Sequence, residues 1–312
     1  MIRWRSLRDI HAQLIIPTGT QVVTRIELRD ATDAPVRPRG AVGVIVAAPD
    51  DAQRTYRVRF ADGGEAALRR TELSIRKNDQ RDGLQFDPLN LPDLEQAIIY
   101  RCVIGSRAYG LDDQASDTDR RGIFLPPADL HWSLGGVPEQ IADDLTRDTY
   151  WELQKFLVLA LKANPNALEC LATPLVEYAT PLALELRAMQ DAFLSKLIYQ
   201  TYNGYVLSQF KKLEQDLRTK GAIKQKHAMH LIRLLLAGAT ALREGVIPVR
   251  VAEQRDRLLA IKRGELPWEE VNSWRLTLHR QFDTAFAATC LPARPDYERV
   301  NAFLLRARRS MI

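Results

Sequence analysis

The chain has 312 residues, enough for two or three domains with hydrophobic cores of their own. A hydrophobic fraction of 46% and a charged fraction of 27% are those of an ordinary soluble protein, and no apolar run approaches the roughly 20 residues that span a bilayer. The formal charge of +5 permits an anionic partner without requiring one, and Met1-Ile2-Arg3-Trp4-Arg5 lacks the apolar stretch and cleavage site of a secretory signal, so a cytoplasmic setting is expected. The three cysteines, Cys102, Cys170 and Cys290, are widely spaced, with no CxxC pair and no histidine at ligand spacing. Neither zinc nor a disulfide framework is indicated, and each reads as a buried thiol in an apolar setting.

Residues 1 to about 85 read as all-β. Thr20 to Arg29 alternates through Val22, Thr24, Ile26 and Leu28; a second run covers Ala41 to Ala48. A third, Tyr56 to Phe60, meets Asp62-Gly63-Gly64 and returns through Glu65 to Leu68, a hairpin signal. Short strands with tight turns predict a small SH3-like β-barrel. Arg57 and Arg59 with Arg69 and Arg70 make either a basic binding face or the solvated outer face of a half-buried sheet.

Residues 78 to 95 are polar and proline-marked, which suits a linker. A βα-type region follows to about residue 180. From about 183 onward the pattern is helical, broken near Gly245 to Pro248, Gly264 to Pro267 and Pro292 to Pro295. The divisions expected are 1–85, 86–182 and 183–312.

Ala97 to Ile104 is an apolar, strand-like run that stops at Gly105-Ser106 and continues as Arg107-Ala108-Tyr109-Gly110. A glycine there lets the backbone approach a ligand closely, and the amides that follow can face an anion. Ten residues after Ser106 comes Ser116-Asp117-Thr118-Asp119. If a strand begins at Asp117, period-two alternation puts Asp117 and Asp119 on one face. Their mutual repulsion is offset when a divalent cation sits between them, and magnesium shared with phosphates suits so small a carboxylate set. A solvated turn is the plainer explanation of such a pair by itself.

Gly-Ser, a short connection and then a strand bearing Asp-x-Asp resembles the DNA polymerase beta nucleotidyltransferase superfamily. More narrowly, Gly105 to Gly122, Asp148 to Phe156 and Ala163-Asn164-Pro165-Asn166-Ala167-Leu168-Glu169 resemble the predicted nucleotidyltransferases associated with bacterial RNA-repair operons. The resemblance runs from about residue 95 to the C-terminus and is most specific between 104 and 170. Thr118 departs from it, standing where an apolar residue is common.

The resemblance implies an α+β chain: a polymerase-beta-like core of mixed sheet and helices, with the N-terminal barrel before it and a C-terminal helical domain after it. It also implies two magnesium ions, a nucleoside triphosphate substrate and a third carboxylate from a neighbouring strand. Asp148 is chosen for that role, with Asp143 and Asp144 as competitors, because it stands where a strand would give way to a helix from Thr149 to Lys162. That helix would carry an apolar stripe at Leu153, Phe156, Leu157, Ala160 and Leu161. The competing explanation for Asp148 is an N-cap.

Gly105, Ser106 and Arg107 are expected at the nucleotide. So is a cationic stripe of Lys226, His230 and Arg233, spaced i, i+4 and i+7 on one helix face, whose alternative is a plain solvated face. Asn166 and Glu169 read chiefly as a capping box, with a substrate role for Glu169 as the alternative. His11, His131 and His279 stand singly, and no P-loop or GxSxG pattern occurs. The expected reaction moves a nucleoside monophosphate to an acceptor hydroxyl, an RNA end first and a protein hydroxyl second. A non-catalytic module that binds triphosphate without turnover is the rival from another class.

Overall fold

A computed structural model describes residues 15–30, 32–49, 55–77, 79, 94–113, 116–143 and 148–312. Most of the expected linker, the segment Met1 to Arg5, His11 and Asp144 lie outside the described residues. The chain divides into two compact units, Met1–Pro92 with Ser133–Gly135, and Asp93–Trp132 with Gly136–Ile312.

In the first unit β1 (Gln21–Thr24), β4 (Val42–Ala47), β5 (Tyr56–Phe60), β6 (Glu65–Leu68) and β7 (Leu73–Ile75) form an antiparallel sheet in the order β6-β5-β4-β1-β7. The short pair β2 (Leu28–Arg29) and β3 (Pro35–Arg37) stands apart from it. The Asp62-Gly63-Gly64 turn joins β5 to β6 as its residues predict. The edge strands β6 and β7 are not paired to each other among the described residues, so the sheet is open. Val22, Ile45, Tyr56, Val58 and Leu73 fill its core. Arg57 and Arg59 alternate outward from β5 and share Glu65 of β6 at 3.4 and 2.8 Å, which neutralises part of the basic face.

The second unit is built on a mixed sheet of β8 (Ile98–Ile104), β9 (Asp119–Phe124), β10 (Gln140–Ala142), β11 (Thr149–Glu152) and β12 (Val176–Ala179), in the order β10-β11-β9-β8-β12. Only the pairing of β11 with β9 is parallel. Between β8 and β9 lies the single turn α1 (Ser106–Tyr109), and α2 (Ala128–Trp132) follows β9. Helices α3 (Leu153–Leu161), α4 (Pro165–Ala172) and α5 (Pro181–Ala188) cover one face of the sheet, against Tyr100, Cys102, Ile104, Ile123 and Trp151. Its other face carries a smaller cluster of Ile98, Phe124 and Tyr150.

The remaining helices are α6 (Leu197–Lys220), α7 (Gln225–Glu244), α8 (Arg255–Arg263), α9 (Trp268–Ala288) and α10 (Tyr297–Arg309). They share a continuous apolar core with the covered face of the sheet. Helix α7 runs through its middle, packed on α6, α8 and α9. The predicted breaks at Gly245 and Gly264 end α7 and α8, while the break at Gly221, between α6 and α7, was not anticipated. No helix among the described residues is long and apolar enough to cross a membrane.

The sequence reading is corrected at two places here. Thr149 to Glu152 is a strand, not the first turn of a helix, because a β-branched residue and two aromatics favour the pleated ladder beside β9. Glu152 then caps α3 by accepting from the Lys155 amide, so Asp148 is no N-cap. Cys290, expected to be buried, is exposed, whereas Cys102 and Cys170 are both buried, and burial pushes the Cys170 thiol well above its ordinary range.

Gly122, in the middle of β9, is fixed by space. A Cβ there would lie 2.1 Å from the Tyr100 carbonyl oxygen and 2.6 Å from the Tyr150 ring. Gly122→Ala is expected to destabilise the chain by about 3 kcal/mol or more. Gly204 faces open space on α6, and Gly204→Ala should stabilise by about 0.5–1 kcal/mol. Urea unfolding of both variants checks the pair, and equal midpoints would refute the steric account.

Candidate functional site

Strand β8 delivers Gly105 to its C-terminal end, paired through Ile104 with Asp119 at the start of β9. Gly105 has φ 76° and ψ −153°, a region open in practice only to glycine. The space a side chain would need is also taken, since a Cβ on Gly105 would lie 2.7 Å from Asp119 Oδ2. The Gly105-Ser106 turn and the Asp119 carboxylate are therefore in direct apposition. Asp117 is exposed and stands two residues ahead of β9, which begins at Asp119 and not at Asp117 as the alternation suggested.

The loop from α1 to β9 is fastened from several sides. Arg107 is exposed, and its Nη2 donates to the Ser116 carbonyl at 2.9 Å, so the side chain clasps the loop's far end. From α8, Arg255 donates to the Gly110 carbonyl at 2.8 Å, and Lys262 reaches the Leu111 carbonyl at 3.1 Å and Asp113 at 2.9 Å. Neither α8 residue stood out in the sequence, because a basic residue near a helix end is ordinary.

Asp148 is not brought beside Asp119. Strand β11 runs parallel to β9 with Thr149 opposite Arg121, and on its β10 side the pairing extends one residue further back, where Asp143 N–H donates to the Asp148 carbonyl at 3.0 Å. Alternation then sets Asp148 on the face of Arg120, opposite to that of Asp119 and Arg121. Its neighbours agree. Burial raises the Asp148 carboxyl above its ordinary range, against the pull of Arg120 and Arg101, with Asp143 and Glu177 adding to the rise. Arg120 in turn donates to Glu177 at 2.8 Å. Asp143 is buried on this same side. Among the described residues no group of three or more His, Cys, Asp or Glu side chains is placed to hold a metal ion.

The stripe of Lys226, His230 and Arg233 is not one solvated face, because α7 dives into the core. Lys226 is exposed, His230 half-buried, and Arg233 only 1% exposed. Arg233 Nη1 donates to Glu169 Oε1 at 2.5 Å, and its guanidinium lies 3.8 Å over the Tyr109 ring. Tyr109 donates its hydroxyl proton to Glu169 Oε2 at 2.6 Å. Burial, then the Glu169 charge, pushes the Tyr109 phenol well above its usual range. Arg233 is held charged, its own burial outweighed by Glu169. His230 Nδ1 lies 3.4 Å from Arg233 Nη2, and burial followed by the Arg233 charge depresses its pKa to about 3. His230 is thus neutral and can accept from the guanidinium.

The capping box is also corrected. Asn164 caps α4, accepting from the Asn166 and Ala167 amides, with Pro165 in the first turn. That leaves Glu169 free for the buried pair. A lone glutamate within Ala167-Leu168-Glu169-Cys170-Leu171 was the available signal that it faces the core.

A family model described as the RNA repair pathway DNA polymerase beta family matches residues 85–306. The chain is also 31% identical over 156 residues to an uncharacterized protein, YcgL, of Bacillus subtilis (strain 168), a match covering 48% of this chain. It spans 58% of the length of that relative.

The geometry carries two consequences for stability. Arg233→Met strands the Glu169 charge in the core and should cost about 3–5 kcal/mol in urea unfolding, while Tyr109→Phe/Glu169→Met/Arg233→Met together should recover most of it. An Arg233→Met midpoint equal to wild type would refute the buried pair. The depressed His230 pKa means that the unfolded chain binds a proton there that the folded chain does not, between about pH 6.5 and about 3. This contribution is complete above the unfolded value and is lost as the pH falls through that window. His230→Gln should flatten the slope of stability against pH there, and an NMR titration with a midpoint near 6.5 would overturn the assignment.

Proposed function

This chain belongs to the RNA repair pathway DNA polymerase beta family, and on that premise we propose that it is a nucleotidyltransferase acting on an RNA end. The observation that supports it best is the apposition of the Gly105-Ser106 turn and the Asp119 carboxylate, where phosphate and divalent cation would share one spot. Asp119 and Asp117 form a small set of hard oxygen donors, which suits magnesium held jointly with substrate phosphates. When bound, two such ions would neutralise the triphosphate and the charge developing on the leaving pyrophosphate.

In the proposed reaction the acceptor hydroxyl oxygen forms a bond to the α-phosphorus of a nucleoside triphosphate. The bond from that phosphorus to the bridging oxygen breaks, and pyrophosphate departs with the electron pair. The acceptor proton is released to water. Gly105 and Ser106 orient the triphosphate through the turn, with the Ser106 hydroxyl as a hydrogen-bond donor and the exposed Arg107 and Lys226 as nearby positive charge. Arg233 and the neutral His230 act from below and do not contact phosphate. Asp148, on the other face of β9, is left out of the metal set.

An RNA end is the acceptor proposed because of the pathway to which the family is assigned. The N-terminal sheet is read as an SH3-like module of a kind that binds RNA, and the cytoplasm is the proposed setting.

The test is incubation with each α-labelled nucleoside triphosphate and magnesium, offering total RNA and total cell protein. Label is expected in RNA, with Asp119→Ala reducing it about 100-fold or more and Asp148→Asn retaining most of it. Label in protein alone would replace the acceptor, and no label in either with intact aspartates would refute transfer. Loss in Asp148→Asn equal to that in Asp119→Ala would return Asp148 to the metal set.

A further inference from the structure

Three segments far apart in sequence meet at one buried point behind the Gly105-Ser106 turn. Helix α1 contributes Tyr109, α4 contributes Glu169 and α7 contributes Arg233. Only four residues long, α1 has too few internal hydrogen bonds to hold its own place. Its last residue is anchored to distant segments by both backbone and side chain. Tyr109 N–H donates to the Gly105 carbonyl at 3.0 Å, its carbonyl accepts from Val251 N–H at 3.2 Å, and its hydroxyl engages Glu169. Both oxygens of Glu169 are occupied, one by Tyr109 and one by Arg233, and the same guanidinium stacks on the Tyr109 ring. The tethers from Arg255 and Lys262 lie nearer the surface, where each contributes less.

We propose that Tyr109, Glu169 and Arg233 are a positioning network for the Gly105-Ser106 turn, setting triphosphate affinity without touching the ligand. The network rests on the nucleotide reading given above. Its chemistry explains the residue types. A carboxylate with two separate oxygens can bridge a phenol and a guanidinium, and only a planar guanidinium can both stack on the ring and reach that carboxylate. Rotation of α1 about its anchored end would move the Gly105-Ser106 turn away from the Asp119 carboxylate, so the hydroxyl of Tyr109 acts on an apposition one helical turn away.

Tyr109→Phe is the sparing test, because it removes one hydroxyl and leaves the ring beneath the guanidinium. Two readouts apply: amide hydrogen exchange of residues 106–111, and the Kd of magnesium ATP, GTP, CTP and UTP by calorimetry. Exchange in that segment should rise about tenfold, and the Kd of the best-bound nucleotide should weaken about tenfold, the size of a lost hydrogen bond to a buried charge. Arg233→Lys should shift both in the same direction. Val300→Ala, in the core of α10, supplies a variant of lowered Tm that should leave both at wild-type values. Wild-type exchange and Kd in Tyr109→Phe, or an equal effect from Val300→Ala, would overturn the network. Faster exchange in Tyr109→Phe with no triphosphate bound by the wild type would overturn the link to affinity and the nucleotide reading, leaving only a structural anchor.

Discussion

The buried pair of Glu169 and Arg233 is the constraint around which the larger unit is organised. Removing two charges from water costs several kcal/mol each, and only close geometry with further hydrogen bonds offsets it. That geometry demands that α4 and α7 approach within bonding distance and stay in register. Asn164 and Pro165 start α4 at the position that turns Glu169 inward. Immediately before them the buried Ala163 takes a φ of 54°, a left-handed conformation costing a non-glycine residue about 1–2 kcal/mol. The turn between α3 and α4 accepts that strain, and the helix emerges aimed at its partner.

Strand β9 divides the surrounding chemistry by the parity of its residues. Asp119 and Arg121 face the helices, and Arg120 faces Glu177, Asp148 and Arg101 on the reverse. Arg120, the arginine that follows Asp119, is therefore occupied on another surface. Gly122 then lets the Tyr150 ring lie against the ladder, which brings β11 flush with β9.

Much of this was legible where the signal is local. The Asp62-Gly63-Gly64 hairpin, the strand ending at Gly105 and the helix breaks at Gly245 and Gly264 each rest on a few adjacent residues. What was not legible depended on contacts between distant segments. Arg233 falls on the polar stripe of its helix by count, and its burial follows from a glutamate 64 positions away. Asp148 looked like a residue at a strand-to-helix junction, yet its face is decided by the register of β11 on β9, which no local pattern specifies. The meeting of Cys102 and Cys170 in one core was hidden in the same way, since a strand and a helix carry them there only after the sheet is covered.

The hold of α8 on the loop from α1 to β9 has a consequence for how this chain can vary. Arg255 and Lys262 open and nearly close that helix, seven residues apart and hence on one side of it, and both reach the same short stretch from Gly110 to Asp113. One residue inserted between them would swing the second by about 100° and take it off the loop. Substitutions on the outer side of α8 leave the grip alone, but a change in its length does not. A helix remote in sequence thus inherits the strictness in residue count usually associated with paired strands, and it does so on behalf of a loop.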